Sequence, residues 1–354
     1  MNSLQSHLIS SESTIVEALE ALNRLSGETM TLFVTDIADI HAERQPSSFL
    51  LGSLTDGDIR RALLSGHELS DKVANICKRA CLRLTEGHYD AAILSEARSR
   101  GVKLLPVVSN TGNIVSMVDL RNQRGLISAD GVLMAGGAGE RLRPLTEKTP
   151  KPLLPVGERP IIDHNVDLMR DFGIRNIYVT VNYLKEQLKE HFGANPKGGD
   201  TVACIEEPTK LGTIGSLSLI KTFRSPHIVV MNADLLTDIN LEEMYLKHLD
   251  TEAFLTMAVI PYAVSVPYAI VEHRGDKVEG LTEKPTYNYY ANAGIYMIRR
   301  EVAESIPEGR YMDATDLIDS LLREGRRVSQ FKIDGRWIDI GSPDDYRHAC
   351  EIMC

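Results

Sequence analysis

The run Leu133-Met134-Ala135-Gly136-Gly137-Ala138-Gly139-Glu140-Arg141-Leu142-Arg143-Pro144-Leu145-Thr146, followed by Thr149-Pro150-Lys151-Pro152-Leu153-Leu154-Pro155-Val156, decides how this chain is read. It is a glycine loop leaving the carboxyl end of a short apolar strand, Val132 to Ala135. Gly136, Gly137 and Gly139 let backbone N–H groups approach an anion closely, because no Cβ stands in the way. Arg141 offers a planar fork matched to phosphate oxygens. Lys151 lies between two prolines, which restrict the local backbone and aim its ammonium back at the same anion. A dinucleotide fingerprint fits poorly, since Leu142 stands near the place of the third glycine, and a P-loop fails for want of Gly-Lys-Ser/Thr. A merely structural glycine turn would need neither the Arg nor the Pro-Lys-Pro.

Strand and helix signals alternate downstream. Ile162, Val166 and Met169 share one face of a helix predicted from Ile161 to Phe172, with Pro160 at its start and Gly173 at its end. Asn176 to Val181 reads as a strand. Leu184, Leu188 and Phe192 mark a second helix stopped at Gly193, and His227 to Met231 is a buried strand. This alternation predicts a mostly parallel, Rossmann-like sheet with helices on both faces. In such sheets ligands sit beyond the carboxyl ends of the strands, where Asp234 is expected. Strands also end in Asp for plain capping. Asp339 sits in the apolar run Trp337-Ile338-Asp339-Ile340, and a carboxylate there needs a cation or several donors.

The glycine–Arg–Pro-Lys-Pro signature resembles that of the sugar-1-phosphate nucleotidyltransferases, over about Gly131 to Tyr346. Further motifs appear in that family's order. Leu211-Gly212-Thr213-Ile214-Gly215 resembles the loop along nucleoside and sugar, and Asn232-Ala233-Asp234 the first metal-binding Asp. Thr282-Glu283-Lys284-Pro285 resembles the segment with a sugar-binding Glu and a Lys that meets the sugar phosphate. Asn292-Ala293-Gly294 resembles the sugar pocket, and Asp339 the second metal-binding Asp. The resemblance implies direct attack of a sugar 1-phosphate on the α-phosphorus of a nucleoside triphosphate, with Mg²⁺ on Asp234 and Asp339. Arg141 and Lys151 would hold the triphosphate and the leaving pyrophosphate. Lys284 would hold the attacking phosphate. Ala135, Gly136, Gly137, Gly139, Asn182, Gly212 and Thr213 would line the nucleotide, and Glu283, Asn292 and Gly294 the sugar. Tyr183 is a further candidate for the base pocket; Asp238, Asp313 and Asp316 read as structural. No nucleophilic Ser, Cys or His constellation indicates a covalent intermediate. The Leu-Gly-Thr-x-Gly loop favours GTP over UTP or CTP by resemblance.

Residues before about Arg124 hold a degenerate repeat. Its shared element is apolar-apolar-Thr/Ser-x-x-Asp-apolar, from Thr55/Asp58 to Ser116/Asp119. The first copy opens on a helix with Thr14 and Glu17 in a capping box. The stretch resembles a tandem CBS domain, an α+β pair, over about residues 8–120. That resemblance implies nucleotide contacts at Thr55, Asp58, Ser116 and Asp119; a Thr-x-x-Asp before a helix is equally a plain N-cap. A docking or dimerising role is the other reading. The expected organisation is a CBS regulatory domain at 1–124, a linker at 125–130 and a catalytic domain at 131–354. CBS pairs commonly associate, so a homo-oligomer is expected. The combination resembles the guanylyltransferases of legionaminic (nonulosonic) acid synthesis, which implies glucosamine 1-phosphate or a related hexose or heptose 1-phosphate as acceptor. A reading from another class is a non-catalytic sugar-nucleotide sensor.

Composition closes off other classes. The chain has 354 residues, 43% hydrophobic and 25% charged, with a net charge of −10. Thirteen basic and 15 acidic residues lie at or before Arg124, and 26 and 34 after it, so the acidity is concentrated downstream. Such a chain lacks the footprint for DNA or RNA. Five cysteines without a C-x-x-C argue for thiols in a reducing compartment. No apolar run approaches a membrane span and the first residues do not read as a signal peptide, so the cytoplasm is expected.

Overall fold

The computed structural model describes residues 3–25, 29–36, 48–86, 90–121, 123–193 and 201–353. The chain divides into two compact units, Met1–Gly125 and Leu126–Cys354.

The first unit repeats one plan. Leu8–Ser10 pairs in parallel with Thr31–Thr35, which pairs antiparallel with Leu50–Thr55. Leu84–Thr85, Leu104–Val108 and Ile114–Asp119 pair in the same sense. A helix joins the first two strands of each copy, Ile15–Arg24 in one and Ala91–Ser99 in the other. Thr14 and Glu17 form the expected reciprocal capping box, which satisfies two orphan N–H groups of the helix start. Ile15, Ala18 and Leu22 point from that helix onto Leu32, Val34 and Leu54. The copies part at their ends. Leu50–Thr55 runs into a helix at Asp56–Leu64, whereas after Asp119 the chain turns at Leu120–Arg121 and the described residues up to Ile127 hold no helix.

The second unit is built on a seven-stranded sheet. Its order is Thr201–Glu206, Asn176–Val181, Ala129–Met134, His227–Asn232, Thr286–Arg299, Leu255–Ser265, Val328–Lys332. The first four strands are parallel, in the 3-2-1-4 order of a doubly wound half, and Thr286–Arg299 is antiparallel to both neighbours. The helices Ile161–Asp171 and Lys185–Gly193 fall where the sequence pattern put them. Val132, Val230, Leu255 and Ile298 pack with Leu317 and Leu321 of the helix Ala314–Arg323.

The first strand of this sheet begins at Ala129, inside the stretch expected as linker. Asp130 is fully buried there. Its carboxylate accepts from the Arg224 and Ser225 backbone N–H groups (2.6 and 3.1 Å), the Ser225 hydroxyl (2.9 Å) and the Asn176 amide (3.3 Å). Four donors make burial of this carboxylate tolerable.

Behind the sheet His227 and His248 stack edge to face, 5.1 Å between ring centroids. His248 pairs through Nδ1 with the Thr256 hydroxyl at 2.9 Å. Burial lowers the His227 pKa to about 4, helped by the nearby Arg299 charge. Burial lowers that of His248 to about 3, helped by His227 and Arg299. Both rings are therefore neutral when folded, and below their unfolded pKa near 6.5 the unfolded chain binds more protons. Stability contributed by this pair is complete at neutral pH and lost as pH falls from about 6.5 toward 4. Trp337, the single tryptophan, reports unfolding of this unit. Its urea transition should weaken between pH 7 and pH 5 by on the order of 2 kcal/mol per histidine; equal transitions at the two pH values would contradict a neutral pair.

Candidate functional site

Two adjoining hollows open beyond the carboxyl ends of the parallel strands. One, of about 360 Å³, is lined by Ala135, Gly137, Gly139, Arg141, Lys151, Asp234 and Gly341. The other, of about 320 Å³, is lined by Gly136, Gly137, Glu207, Gly212, Thr213 and Asn232. They share Met134, Gly137 and Asp234 and so form one cleft.

The glycine loop is stapled in place. Gly139 takes φ +61°, and a Cβ there would lie 3.0 Å from Thr146 and 3.1 Å from Lys151. The Thr146 hydroxyl donates to the Gly139 carbonyl at 2.8 Å, and the Tyr183 hydroxyl donates to the Thr146 carbonyl at 3.0 Å. Tyr183 thus braces the loop. Lys151 opens a short 3-10 turn behind Pro150 and is only 9% exposed. Its ammonium donates to Asp234 and lies 3.9 Å from Asp339. The Arg141 guanidinium lies over Gly341, 3.5 Å from where a Cβ would sit.

A two-stranded ladder brings the carboxylates together. Leu235–Thr237 pairs antiparallel with Trp337–Asp339, setting Leu235 opposite Asp339. The Ile340 N–H donates to the Asp234 carbonyl at 3.2 Å, and the Trp337 indole donates to the Ala293 carbonyl at 2.9 Å. Burial raises the Asp339 carboxyl above its ordinary range and the Asp234 charge raises it further, while Lys151 and Arg141 pull it back. Oδ1 of Asp234 is buried without a partner among the described residues. Two hard oxygen ligands with an orphaned lone pair suit Mg²⁺, which takes few protein ligands and completes its shell with water and phosphate oxygens. No cluster of three or more His, Cys, Asp or Glu occurs among the described residues, as a zinc site would need.

Other expected residues have structural partners. Gly212 takes φ +80°, with a Cβ position 2.5 Å from the Met312 carbonyl oxygen. The Thr213 hydroxyl accepts from the Ala314 N–H at 2.8 Å and donates to Asp313 at 3.3 Å, so it is committed to the helix start. Asp313 and Asp316 form that helix's capping box, and Asp238 accepts from the Arg336 N–H at 2.6 Å. The Asn182 amide donates to the Glu207 carbonyl at 3.0 Å, and Asn182 lines neither hollow. Asn292 accepts from the Gly294 N–H at 3.0 Å and donates to the Tyr296 hydroxyl at 2.7 Å. Gly294 takes φ +71°, with a Cβ position 2.5 Å from the Asn232 amide, which lines the cleft. Glu283 and Lys284 are exposed and line neither hollow. Seven residues lie between Lys284 and Asn292, the last six of them in the strand Thr286–Arg299.

Sequence reasoning missed Glu207. It follows the strand Thr201–Glu206 directly, the strand-end position that pointed to Asp234. It is 6% exposed, lines the second hollow, and meets Gly136 so closely that a Cβ there would lie 2.8 Å from its carboxylate. Burial raises its pKa, and the Leu211 N–H offsets part of that.

In the first unit, Thr55 and Asp58 make a reciprocal capping box. Burial works to raise the Asp58 carboxyl; bonds from Thr55, Lys78 and Arg61 outweigh it and hold the pKa low. Both line a cavity of about 460 Å³ with Ser53, Lys78, Arg100 and Lys103. Ser116 is exposed in mid-strand opposite Val107, and Asp119 binds the Arg121 guanidinium at 3.0 Å. Neither lines that cavity. Cys77, Cys81, Cys204 and Cys350 are free thiols; Cys354 lies outside the described residues. No helix among the described residues is long and apolar enough to cross a membrane.

Comparison with known proteins defines the class. The family model described as nucleotidyl transferase matches residues 130–353, more than half of the chain, and the chain belongs to that family. It is similar to the "Bifunctional protein GlmU" of Methanocaldococcus jannaschii, 30% identical over 231 residues, covering 63% of this chain and 54% of that protein. The chain thus spans about half the length of that relative. It is also similar to the D-glycero-alpha-D-manno-heptose 1-phosphate guanylyltransferase of Aneurinibacillus thermoaerophilus, 28% identical over 62% of this chain and 96% of that one. In fold it resembles the crystal structure of HddC from Yersinia pseudotuberculosis, with a TM-score of 0.51, 23% identity, and coverage of 64% of this chain and 100% of that one.

The geometry predicts that Lys151 offsets the mutual repulsion of Asp234 and Asp339. Lys151→Met should lower stability at pH 7.5 by about 1–3 kcal/mol in urea melts followed by Trp337 fluorescence, with millimolar Mg²⁺ recovering part of it. An unchanged midpoint would mean that the ion pair is only incidental to folding.

Proposed function

We propose that the chain transfers a nucleotidyl group from a nucleoside triphosphate to a sugar 1-phosphate, releasing pyrophosphate. The observation that carries this reading is the convergence of Arg141, Lys151 and Asp234 on one cleft at the carboxyl ends of parallel strands, with Asp339 3.9 Å from the Lys151 ammonium. Family membership and the similarity to the heptose 1-phosphate guanylyltransferase support it.

Both reactants are polyanions, so mutual repulsion and charge build-up dominate the barrier. Positioning and fixed positive charge supply most of the catalysis. The loop at Gly136–Gly139 presents its backbone to the triphosphate, and Arg141 and Lys151 neutralise its distal phosphates and the departing pyrophosphate. Asp234 and Asp339 would hold Mg²⁺, which supplies charge neutralisation at the α-phosphate when bound. A phosphate monoester is largely ionised at neutral pH, so the attacking oxygen needs no general base. Lys284 is assigned to the attacking phosphate on resemblance, which requires the segment bearing it to curl over the cleft.

Glu207 supports a guanine nucleotide. A carboxylate in a poorly solvated hollow seeks donors, and guanine offers two side by side, N1–H and the N2 amino group. Uracil offers one N–H and cytosine offers its amino group without an adjacent ring N–H. Glucosamine 1-phosphate, or a related hexose or heptose 1-phosphate, is the acceptor class favoured by resemblance. In the first unit, the cavity bearing Thr55, Asp58, Lys78, Arg100 and Lys103 supports a regulatory nucleotide. Ser116 and Asp119 would not join it there.

Pyrophosphate release measured with four triphosphates against several sugar 1-phosphates should single out GTP. Arg141→Ala and Asp234→Asn should each lower kcat/KM by about 100–1000-fold without unfolding the unit; near-wild-type turnover by both would refute the reaction. Glu207→Gln should cut GTP use by at least about 10-fold while sparing UTP. Equal losses for the two nucleotides would remove Glu207 from base selection.

A further inference from the structure

Lys151 has two sets of partners to serve. As a triphosphate ligand it must meet phosphate oxygens, yet its ammonium donates to Oδ2 of Asp234 and lies 3.9 Å from Oδ1 of Asp339. Those are the two acids assigned to the divalent ion. A lysine ammonium is a compact point charge with three donors, so it satisfies carboxylate oxygens much as a small cation would. Oδ1 of Asp234 has no partner among the described residues, so the ammonium serves only one of that acid's two oxygens.

The stem of this lysine is held. Its side chain is 11% exposed, and prolines restrict the backbone on either side. A Cβ on Gly139 would lie 3.1 Å from Cβ of Lys151 and 3.5 Å from its Cδ, so the glycine loop packs along the stem. Rotation about the Cδ–Cε bond moves the ammonium and leaves that packing intact. The loop that grips the stem is also the loop assigned to the phosphates, so the two stations of the ammonium adjoin. Arg141 is placed differently. It is exposed and lies over Gly341, and its charge reaches Asp339 through space.

We propose that Lys151 stands in the divalent ion's place until a triphosphate draws its ammonium away, which couples entry of the nucleotide to entry of the ion. It rests on the reading of Asp234 and Asp339 as the cation's ligands. While the ammonium sits on Asp234, an ion meets a shared carboxylate and a like charge, and the two acids hold it weakly by themselves. Once phosphate oxygens take the ammonium, both oxygens of Asp234 are open to the ion, and the nucleotide adds ligands of its own. The coupling is reciprocal: the factor that the triphosphate adds to ion affinity, the ion adds to triphosphate affinity.

Mn²⁺ titrated into the full-length chain without nucleotide, read by water-proton relaxation, tests it. A site closed about nine-tenths of the time binds about 10-fold more weakly than an open one. Lys151→Met and Lys151→Gln should therefore each bind Mn²⁺ at least about 10-fold more tightly than the wild type. Circular dichroism checks that each is folded, and either variant alone suffices. Arg141→Met also removes a positive charge near Asp339 but leaves the ammonium on Asp234, and should stay within about threefold of the wild type. Adding Asp234→Asn to the Lys151 variants should abolish their gain. Lys151 variants that bind Mn²⁺ no better than the wild type would overturn the proposal. So would an equal gain in Arg141→Met, which would reduce the effect to net charge. A gain that survives Asp234→Asn would put the ion elsewhere and bring down the cation reading along with the proposal.

Discussion

The ion pair between Lys151 and Asp234, with Asp339 beside it, is the constraint around which the second unit is arranged. Two half-buried carboxylates converge on one lysine that is itself only 9% exposed. Charges so placed are costly unless each has a partner. The prolines flanking Lys151 reduce its backbone freedom. The glycine loop packs against its side chain. The ladder of Leu235–Thr237 with Trp337–Asp339 fixes how far apart the acids stand. One carboxylate oxygen has no partner among the described residues, and the proposed cation would meet it there.

The cleft sets two acids in opposite surroundings. Asp234 and Asp339 face a lysine and an arginine, an electrostatic setting for phosphates. Glu207 lies in the other hollow, where burial raises its pKa and the Leu211 N–H donates to it at 3.4 Å. One end of the cleft is therefore suited to charge and the other to hydrogen-bond donors, the division a nucleotide presents between its phosphates and its base.

Much of this was legible in the sequence because it is local. Helix periodicity, Pro160 and Gly173 marked Ile161–Asp171 to within a residue, and the capping box at Thr14 was readable from two residues. Glycine spacing and the Pro-Lys-Pro run pointed to the loop and the lysine that line the first hollow. What escaped depends on partners far away in the chain. Asp130 looked like part of a polar linker because its donors lie at Asn176, Arg224 and Ser225. Thr213 and Asn182 also bond to Asp313 and Glu207, partners that tertiary packing sets and the local sequence does not show. The repeat in the first unit was visible as a motif, but a helix like the one that Thr55 caps does not follow Asp119 among the described residues.

The central claim is that Asp234 and Asp339 form one divalent-cation site against the phosphate loop. Water-proton relaxation during titration of Mn²⁺ into the full-length chain with GTP tests it most directly. The account predicts one tightly held ion per chain in the wild type, lost in both Asp234→Asn and Asp339→Asn. Undiminished ion binding in the two variants would contradict it.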